Sequence, residues 1–229
     1  MGSKAQVRIE DGIAWITLDD GKVNAMSTAM LAEIGEALDI AESAGVVTVL
    51  RGREGIFSAG FDLATFQRGS DASVEMVVAG ARLIERLLSF PRPVLTVCTG
   101  HAYPMGAFVM LSADVRFGVA GPWRIGMNEV AIGLTVPRFA LELARHRLTP
   151  PGFARIVTAP MFPPEEALRL GYLDRVLEAD RLDDAVREEA QRLRKLDMAS
   201  FAATKARTNE RVLEAVRAAV NDELRAIAA

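Results

Sequence analysis

One carboxylate, Glu129, lies in an otherwise apolar stretch of the sequence, residues 126–134. Asn128 is its only polar neighbour among the residues that immediately flank it. A carboxyl group in apolar surroundings resists ionisation, so its pKa rises toward neutrality. Such a group can accept and return a proton near neutral pH. The same pattern also fits a surface glutamate at a loop or helix cap beside a core strand, and this stretch alone leaves both interpretations open.

Two earlier loops carry small residues that would let a ligand approach the main chain. The first covers residues 51–63 and contains Ser58, Ala59 and Gly60. The second leads through Met105 and Gly106 into the apolar run 107–111, which predicts a buried helix. Each loop taken singly also fits a tight turn after a strand. Together, N–H donors from two loops and one carboxylate would suit proton transfer next to a carbonyl, with the donors stabilising an enolate oxygen.

His101, in the second loop, is a weaker candidate for a catalytic base. No serine or cysteine nucleophile motif accompanies it, so the hydrolase type of histidine chemistry lacks its usual partner.

Regular elements must hold these loops in place. Alternating residues around Asp11 and Gly12 predict a β-hairpin, and Ser27 is a plausible N-cap for the helix that follows. Short apolar runs predict buried strands over 46–50, 94–98 and 115–119. Helical spacing predicts a helix over 74–88 that Pro91 and Pro93 close. The order is therefore strand, small-residue loop and helix, twice over, and then a strand that leads to Glu129.

After Glu129 the sequence is predominantly helical. Prolines at helix starts and apolar periodicity predict helices over 137–147, 151–158, 164–170, 180–196 and 199–227. One apolar stripe, which we expect to cap the core, consists of Leu182, Val186, Ala190 and Leu193. A second stripe is expected either to cap the core or to meet another subunit, and it consists of Val212, Leu213, Val216, Val220 and Leu224.

Composition excludes several classes of protein. The chain has 229 residues, 50% of them hydrophobic and 25% charged, which suits one large domain or one domain with an appendage. A net charge of −3 without charged blocks argues against nucleic-acid binding, and no apolar run is long enough for a membrane span. The first six residues contain no signal-peptide core, and a single cysteine excludes a disulfide framework, so we expect a reducing, cytoplasmic location. Two histidines and one cysteine cannot form a usual His/Cys metal site.

Four segments in order resemble one known family. They are residues 22–27 (KVNAMS), 57–63 (FSAGFDL), 100–114 and the pair Asn128 and Glu129. The chain resembles the crotonase superfamily of enoyl-CoA hydratases and isomerases along nearly its whole length. The resemblance implies an α/β fold, with a crotonase-like ββα spiral core over 1–178 that carries the acyl-CoA site. It implies a C-terminal helical region over 179–229 and a homotrimer or hexamer, to which that region would contribute.

The resemblance also implies roles for individual residues. Glu129 would be the base, and the main-chain N–H groups of Phe61 and Met105 would form the oxyanion hole. Coenzyme A would enter only as part of the substrate, without another cofactor or a metal. Lys205 is similar to a family lysine that reaches coenzyme A, although a solvated helix residue is the simpler interpretation. The residues expected to contact substrate are Ala25, Ser58, Ala59, Gly60, Asp62, Leu63, Gly106 and Phe108.

Phe108 is an informative departure from the family pattern. Hydratases of the family carry a second glutamate at this position, and water addition needs both an activated water and a proton source. Moving a proton from C2 to C4 needs one base only, so the sequence favours a 3-enoyl-CoA to 2-enoyl-CoA isomerase of fatty acid oxidation. A hydratase with Glu85 or Asp62 as its second acid, and an acyl-CoA-binding protein without catalysis, are the alternatives. Phe108 with Phe66 and Val77 is expected to line the acyl pocket.

Overall fold

The structure is a computed structural model that describes residues 3–228, with side chains described for residues 3–221. The described residues form two β-sheets with helices packed around them, which confirms the expected α/β class. The strands are β1 (Ala5–Glu10), β2 (Ile13–Leu18), β3 (Val47–Gly52), β4 (Gly55–Ser58), β5 (Val94–Cys98), β6 (Gly100–Ala102), β7 (Val115–Val119), β8 (Ile125–Gly126), β9 (Met161–Phe162) and β10 (Arg175–Leu177).

Helices follow the strand pairs and complete the C-terminal part. Two 3₁₀ helices, Val130–Ile132 and Arg155–Thr158, accompany them, and no helix within the described residues is both long and apolar enough to cross a membrane. The α-helices are α1 (Thr28–Ala44), α2 (Leu63–Phe66), α3 (Ser70–Ser89), α4 (Pro104–Leu111), α5 (Arg138–Arg147), α6 (Pro150–Ala154), α7 (Pro164–Leu170), α8 (Ala179–Leu193) and α9 (Met198–Ala228).

The chain alternates between the two sheets, and this alternation produces the expected ββα spiral. One sheet has the order β1-β2-β3-β5-β7-β10, and the other has the order β4-β6-β8-β9. β3 and β4 precede α2 and α3, β5 and β6 precede α4, and β7 and β8 complete a third turn. Each turn therefore contributes one strand to each sheet. Within the second sheet β4, β6 and β8 are parallel neighbours, so their carboxyl ends lie at one edge.

Local sequence signals account for the first elements. Asp11 and Gly12 have φ angles of 50° and 69°, the left-handed conformation that a tight hairpin turn requires, and Glu10 pairs with Ile13 across it. The Ser27 hydroxyl accepts the N–H of Met30 at 3.2 Å, which satisfies a free donor at the start of α1. The hairpin and the helix cap are thus confirmed.

Several short strands were missing from the sequence interpretation. β4 and β6 lie inside segments that the sequence predicts to be loops, and β10 lies in the segment that links α7 to α8. These strands have three or four residues, too few to show alternation, and parallel partners supply their hydrogen bonds. The helix predicted over 74–88 begins four residues earlier, because residues 70–73 join α3.

The last two helices both pack on the chain itself. The stripe of Leu182, Val186, Ala190 and Leu193 on α8 is buried against the outer face of the six-stranded sheet, as expected. Val212, Leu213 and Val216 on α9 are buried in the main core, where α9 lies against α3 and α5. These three positions are therefore not free to meet another subunit, and the side chain of Leu224 lies outside the described residues. The boundary at residue 178 and the oligomeric state stay predictions.

Lys205 is buried in an ion pair and is not a solvated helix residue. Its side chain on α9 is 5% exposed, and its Nζ donates to Asp114 Oδ2 at 2.7 Å. The same carboxylate oxygen accepts the N–H of Val94 at 2.8 Å. Burial lowers the pKa of Lys205, and the charge of Asp114 opposes that shift. The ion pair therefore ties α9 to the start of β5.

We expect Lys205→Met to destabilise the protein by about 3 kcal/mol, because removal of one partner leaves the other charge buried and unpaired. Chemical denaturation of wild type and variant would measure the change in free energy of unfolding. Lys195→Met, at an exposed position that follows α8, is the matched control. Adding Asp114→Asn to Lys205→Met should recover part of the loss. An equal effect of the two lysine variants would contradict a stabilising buried pair.

Candidate active site

Three loops leave the carboxyl ends of β4, β6 and β8 and meet at one edge of the second sheet. Parallel pairing places Ser58 opposite Ala102, and Ala102 opposite Ile125. The next residues along the three loops include Phe61, Met105 and Glu129, the three positions that the sequence singled out. The spiral thus brings the first two loops together, although Phe61 and Met105 are more than forty residues apart in the sequence.

The first loop turns sharply at Gly60, whose φ of 89° lies in the left-handed region that favours glycine. Its carbonyl accepts the N–H of Met26 at 2.8 Å, and the N–H of Asp62 reaches the carbonyl of Met26 at 3.5 Å. The Gly60 carbonyl and the Phe61 N–H belong to one trans peptide group and point in opposite directions. The N–H of Phe61 is therefore directed away from Met26 and is left for another acceptor.

Asn24 and Ser58 hold this loop against the preceding segment. The buried Asn24 amide donates to the carbonyls of Leu18 at 2.9 Å and Phe57 at 3.2 Å. The Ser58 hydroxyl donates to the carbonyl of Asn24 at 2.7 Å and accepts the N–H of Gly60 at 3.1 Å. Asn24 itself has a φ of 52°, an uncommon conformation for a residue with a side chain. Local sequence patterns do not predict this supporting role.

The second loop ends in α4, which begins with Pro104 at its first position. Its first intrahelical hydrogen bond runs from the N–H of Ala107 to the carbonyl of Tyr103, at 2.9 Å. The N–H of Met105 lies in the turn before that bond, where a helix has no carbonyl of its own to offer. The helix dipole also gives this end partial positive charge. This N–H therefore suits a developing oxyanion.

Glu129 follows β8 and starts a 3₁₀ helix. Its carbonyl accepts the N–H groups of Ile132 at 3.0 Å and Leu134 at 2.9 Å, which fixes the backbone at this point. The residue is only 5% exposed, and neither carboxyl oxygen has a hydrogen-bond partner within the described part of the chain. Burial raises the pKa of Glu129 to about 7. The carboxyl group can therefore both accept and release a proton near neutral pH.

An apolar cavity of about 350 Å³ connects these features. Its wall includes Glu129, and Asn128, Thr135 and Tyr103 add polar groups. Glu129 is the only carboxylate among the described residues that line it. The cavity thus offers an apolar ligand one titratable carboxyl group. The larger apolar side chains of the wall are Phe61, Leu63, Phe66, Val77, Ile132 and Leu134.

The predicted site residues divide into two groups. Those on the cavity wall are Glu129, Phe61, Ala59, Gly60 and Leu63, together with Phe66 and Val77 from the expected acyl pocket. The other predicted residues are not among the wall residues, and they are Ala25, Ser58, Asp62, Met105, Gly106 and Phe108.

Two of the predicted residues that do not line the cavity have clear structural roles. Phe108 is fully buried and packs edge-on against Phe139 with ring centroids 5.9 Å apart, so it is not part of the acyl pocket. Asp62 caps α2 by accepting the N–H of Ala64 at 3.2 Å and the hydroxyl of Thr65 at 2.8 Å. Their side chains are therefore used within the fold.

Two other residues change the electrostatic picture. His101 is not part of the cavity wall, and its Nδ1 accepts the N–H of Arg124 at 3.0 Å, which argues against a role as base. Burial and then the charge of Glu129 raise the pKa of the Tyr172 phenol above its ordinary value. An ionised Glu129 carboxylate therefore disfavours ionisation of the Tyr172 phenol. Sequence spacing does not indicate that these two groups interact.

Solved structures share this architecture almost completely. An enoyl-CoA hydratase/isomerase family protein from Pseudomonas syringae is 39% identical, with a TM-score of 0.95 over 96% of each chain. A Mycobacterium tuberculosis protein is 36% identical, with a TM-score of 0.93 over 98% of this chain and 99% of its own. That protein has been described both as an enoyl-CoA isomerase and as a probable enoyl-CoA hydratase. The chain thus has the crotonase fold.

The sequence comparison defines the family. A family model described as enoyl-CoA hydratase/isomerase matches residues 8–227. The chain therefore belongs to the enoyl-CoA hydratase/isomerase family, within the crotonase superfamily. It is also 30% identical over 184 residues to the human peroxisomal bifunctional enzyme, an alignment that covers 79% of this chain. The chain spans 25% of the length of that human protein.

Burial of the Glu129 carboxyl group should make the stability of the protein depend on pH. The folded-state pKa of Glu129, about 7, exceeds its ordinary value of 4.5, so stability is highest when the group is neutral and falls as pH rises toward 7. Glu129→Gln removes this titration. We expect the free energy of unfolding of the variant, relative to wild type, to increase by about 2 kcal/mol between pH 5 and pH 8.

Denaturant titrations at the two pH values measure this difference, and any effect of the amide that does not depend on pH cancels. Glu36→Gln, at an exposed position of α1, is the matched control and should show no such trend. A pH-independent difference between Glu129→Gln and wild type would mean that Glu129 titrates normally.

Proposed function

We propose that this chain acts on acyl-CoA thioesters and shifts the double bond of a 3-enoyl-CoA to give the 2-enoyl-CoA. The observation that carries the proposal is Glu129, the single buried carboxylate among the described residues of the cavity wall. Moving a double bond by one position requires one group that takes a proton from C2 and returns it to C4. A carboxyl group with a pKa of about 7 is suited to both steps at neutral pH.

The proposed reaction uses the three loops together. The ionised Glu129 accepts the C2 proton, and the electron pair of the C–H bond delocalises into the thioester carbonyl. The resulting enolate oxygen is stabilised by the N–H groups of Phe61 and Met105. The dienolate then takes the proton from Glu129 at C4, so the double bond lies between C2 and C3 and the carboxylate is regenerated. Atoms and charge balance without any further reactant.

The apolar wall supports an acyl substrate. Phe66 and Val77 lie on the wall with the Phe61 ring, and they exclude water from the hydrocarbon part of a ligand. Exclusion of water also strengthens the interaction between an enolate and its N–H donors. Both effects suit a thioester with an apolar chain, as fatty acid oxidation would supply.

Hydration of a 2-enoyl-CoA is the second candidate, since one similar protein has been described as a probable hydratase. It requires a second acid or base, and the two carboxylates considered from the sequence are engaged elsewhere. Glu85 Oε1 pairs with Arg217 Nε at 2.6 Å, and Asp62 caps α2. Phe108, at the position of the second family glutamate, is apolar and fully buried. These contacts favour the isomerase over the hydratase.

We expect the purified protein to convert a 3-enoyl-CoA to the 2-enoyl-CoA without hydrating a 2-enoyl-CoA. Because isomerisation does not change mass, a coupled hydratase reports its product, whereas direct hydration adds one water to the mass. Glu129→Gln should lower kcat by at least about 100-fold, the contribution typical of a placed base.

Glu36→Gln is the matched control and should keep wild-type kcat. Wild-type isomerase activity in Glu129→Gln would exclude Glu129 as the base. Rapid hydration by wild type would establish the second candidate, and no turnover on any acyl-CoA that binds would establish a binding protein.

The pKa of Glu129 also predicts how the rate depends on pH. The base must be ionised in the free enzyme, so kcat/KM should rise with pH and level off above an apparent pKa of about 7. Initial rates between pH 5.5 and pH 9 measure the profile. A flat profile over that range would show that the catalytic base has an unperturbed carboxyl pKa.

A further inference from the structure

Helix α3 contains a glycine, Gly80, that faces the side chains of Phe61 in the first loop and Met105 in the second. A Cβ atom at this position would lie 2.6 Å from Cζ and 2.8 Å from Cε1 of Phe61, and 3.2 Å from Cε of Met105. Carbon atoms in favourable contact are about 3.5–4.0 Å apart. The close approach of both side chains to α3 therefore requires the absence of a side chain at Gly80.

The two side chains that meet at Gly80 belong to the residues whose N–H groups form the oxyanion hole in the proposed function. Phe61 follows β4 and Met105 follows β6, so the two donors come from separate turns of the spiral. The side chains of both residues nevertheless approach α3 at the same position, Gly80. The distance of each loop from α3 is thus set at the same residue.

Neighbouring side chains restrict both residues, and the Phe61 ring also borders the cavity. The Phe61 ring packs edge-on against Phe66, with centroids 6.3 Å apart and an interplanar angle of 88°. Met105 is fully buried in the main core. Gly80 itself is buried near the middle of α3, although glycine is unfavourable in a helix interior compared with alanine. Helix propensity therefore does not explain why residue 80 is a glycine. The space that the Phe61 and Met105 side chains occupy against α3 does explain it.

We propose that Gly80 is a positioning residue that sets the separation of the two oxyanion donors. This inference rests on the proposed function, in which the N–H groups of Phe61 and Met105 bind the thioester oxygen. The Met105 methyl group ends a flexible side chain and can move aside. The Phe61 ring is rigid and packs against Phe66, so a methyl group on α3 pushes the ring toward the cavity and shifts the backbone that carries the N–H.

The test is Gly80→Ala in the wild-type and in the Phe61→Leu background. Leucine lacks Cζ and Cε1, the atoms that contact Gly80. We expect Gly80→Ala to lower kcat by at least about tenfold while KM changes less than about threefold, because a small displacement of a donor affects the transition state most. In the Phe61→Leu background the same substitution should lower kcat by less than about threefold, since the contact is already gone.

Gly35→Ala on α1 is the matched control. A Cβ there would meet only Arg86 Nη1, at 4.0 Å, so kcat should stay at its wild-type value. Equal losses from Gly80→Ala in both backgrounds, or no loss in either, would overturn the inference.

A second measurement does not depend on isomerisation. A 3-oxoacyl-CoA binds as its enolate where an oxyanion hole stabilises it, and the enolate absorbs in the near ultraviolet. We expect Gly80→Ala to reduce this absorbance at saturating ligand and Gly35→Ala to preserve it. Enolate binding by wild type without isomerase activity would refute the proposed function and leave the role of Gly80 standing. A full enolate signal in Gly80→Ala would refute the role of Gly80 alone.

Phe61→Leu by itself decides the matter if Gly80→Ala does not fold. Loss of the ring from its contact with Gly80 should reduce both the enolate absorbance and kcat by at least about threefold, whereas Phe66→Leu, which removes a wall ring that does not contact Gly80, should reduce them less. Wild-type values for both would show that the contact between the ring and α3 does not position the donor.

Discussion

Parallel pairing of three short strands is the constraint on which the site depends. β4, β6 and β8 have two to four residues each, and their hydrogen bonds place the ends of three loops side by side. Such strands are stable only because each belongs to a turn of the spiral whose other strand lies in the six-stranded sheet. The larger sheet and its helices therefore supply the stability, and the smaller sheet supplies the geometry. Phe61, Met105 and Glu129 inherit their relative positions from this arrangement.

Burial of Glu129 without a partner is the electrostatic counterpart of that arrangement. Elsewhere in the described structure, buried charges are paired, as Lys205 is with Asp114 and as Arg116 is with Asp174 at 2.5 Å. Glu129 has no such partner and its pKa rises accordingly. An unpaired carboxyl group destabilises the folded state when it ionises. The fold tolerates this at one place, where the chemistry proposed for the cavity needs a proton acceptor of moderate strength.

Close packing extends the site beyond the loops themselves. Ser58 and Asn24 fix the first loop by hydrogen bonds, and Gly80 lets the side chains of both loops rest on α3. The last helix, α9, packs in turn on α3 and α5, so the C-terminal region supports the site from behind. Close-packed protein interiors transmit small displacements instead of absorbing them. The position of an N–H donor is therefore a property of several elements together.

The amino-acid sequence alone predicts the residues to which we assign the chemistry and most of the regular elements. Glu129 could be singled out because its neighbours are apolar, and the hairpin and helices could be predicted because turn residues and apolar periodicity are local signals. Motif order was enough to predict the crotonase fold, which the solved structures confirm. Only the tertiary structure decided that β4, β6 and β10 form, since strands of three or four residues depend on partners distant in sequence. It also decided that Lys205 and the α9 residues Val212, Leu213 and Val216 are buried within the chain, and that Phe108 lies in the core and not on the cavity wall. Periodicity shows that a helix has an apolar face, but the surface that covers this face is chosen by packing in three dimensions.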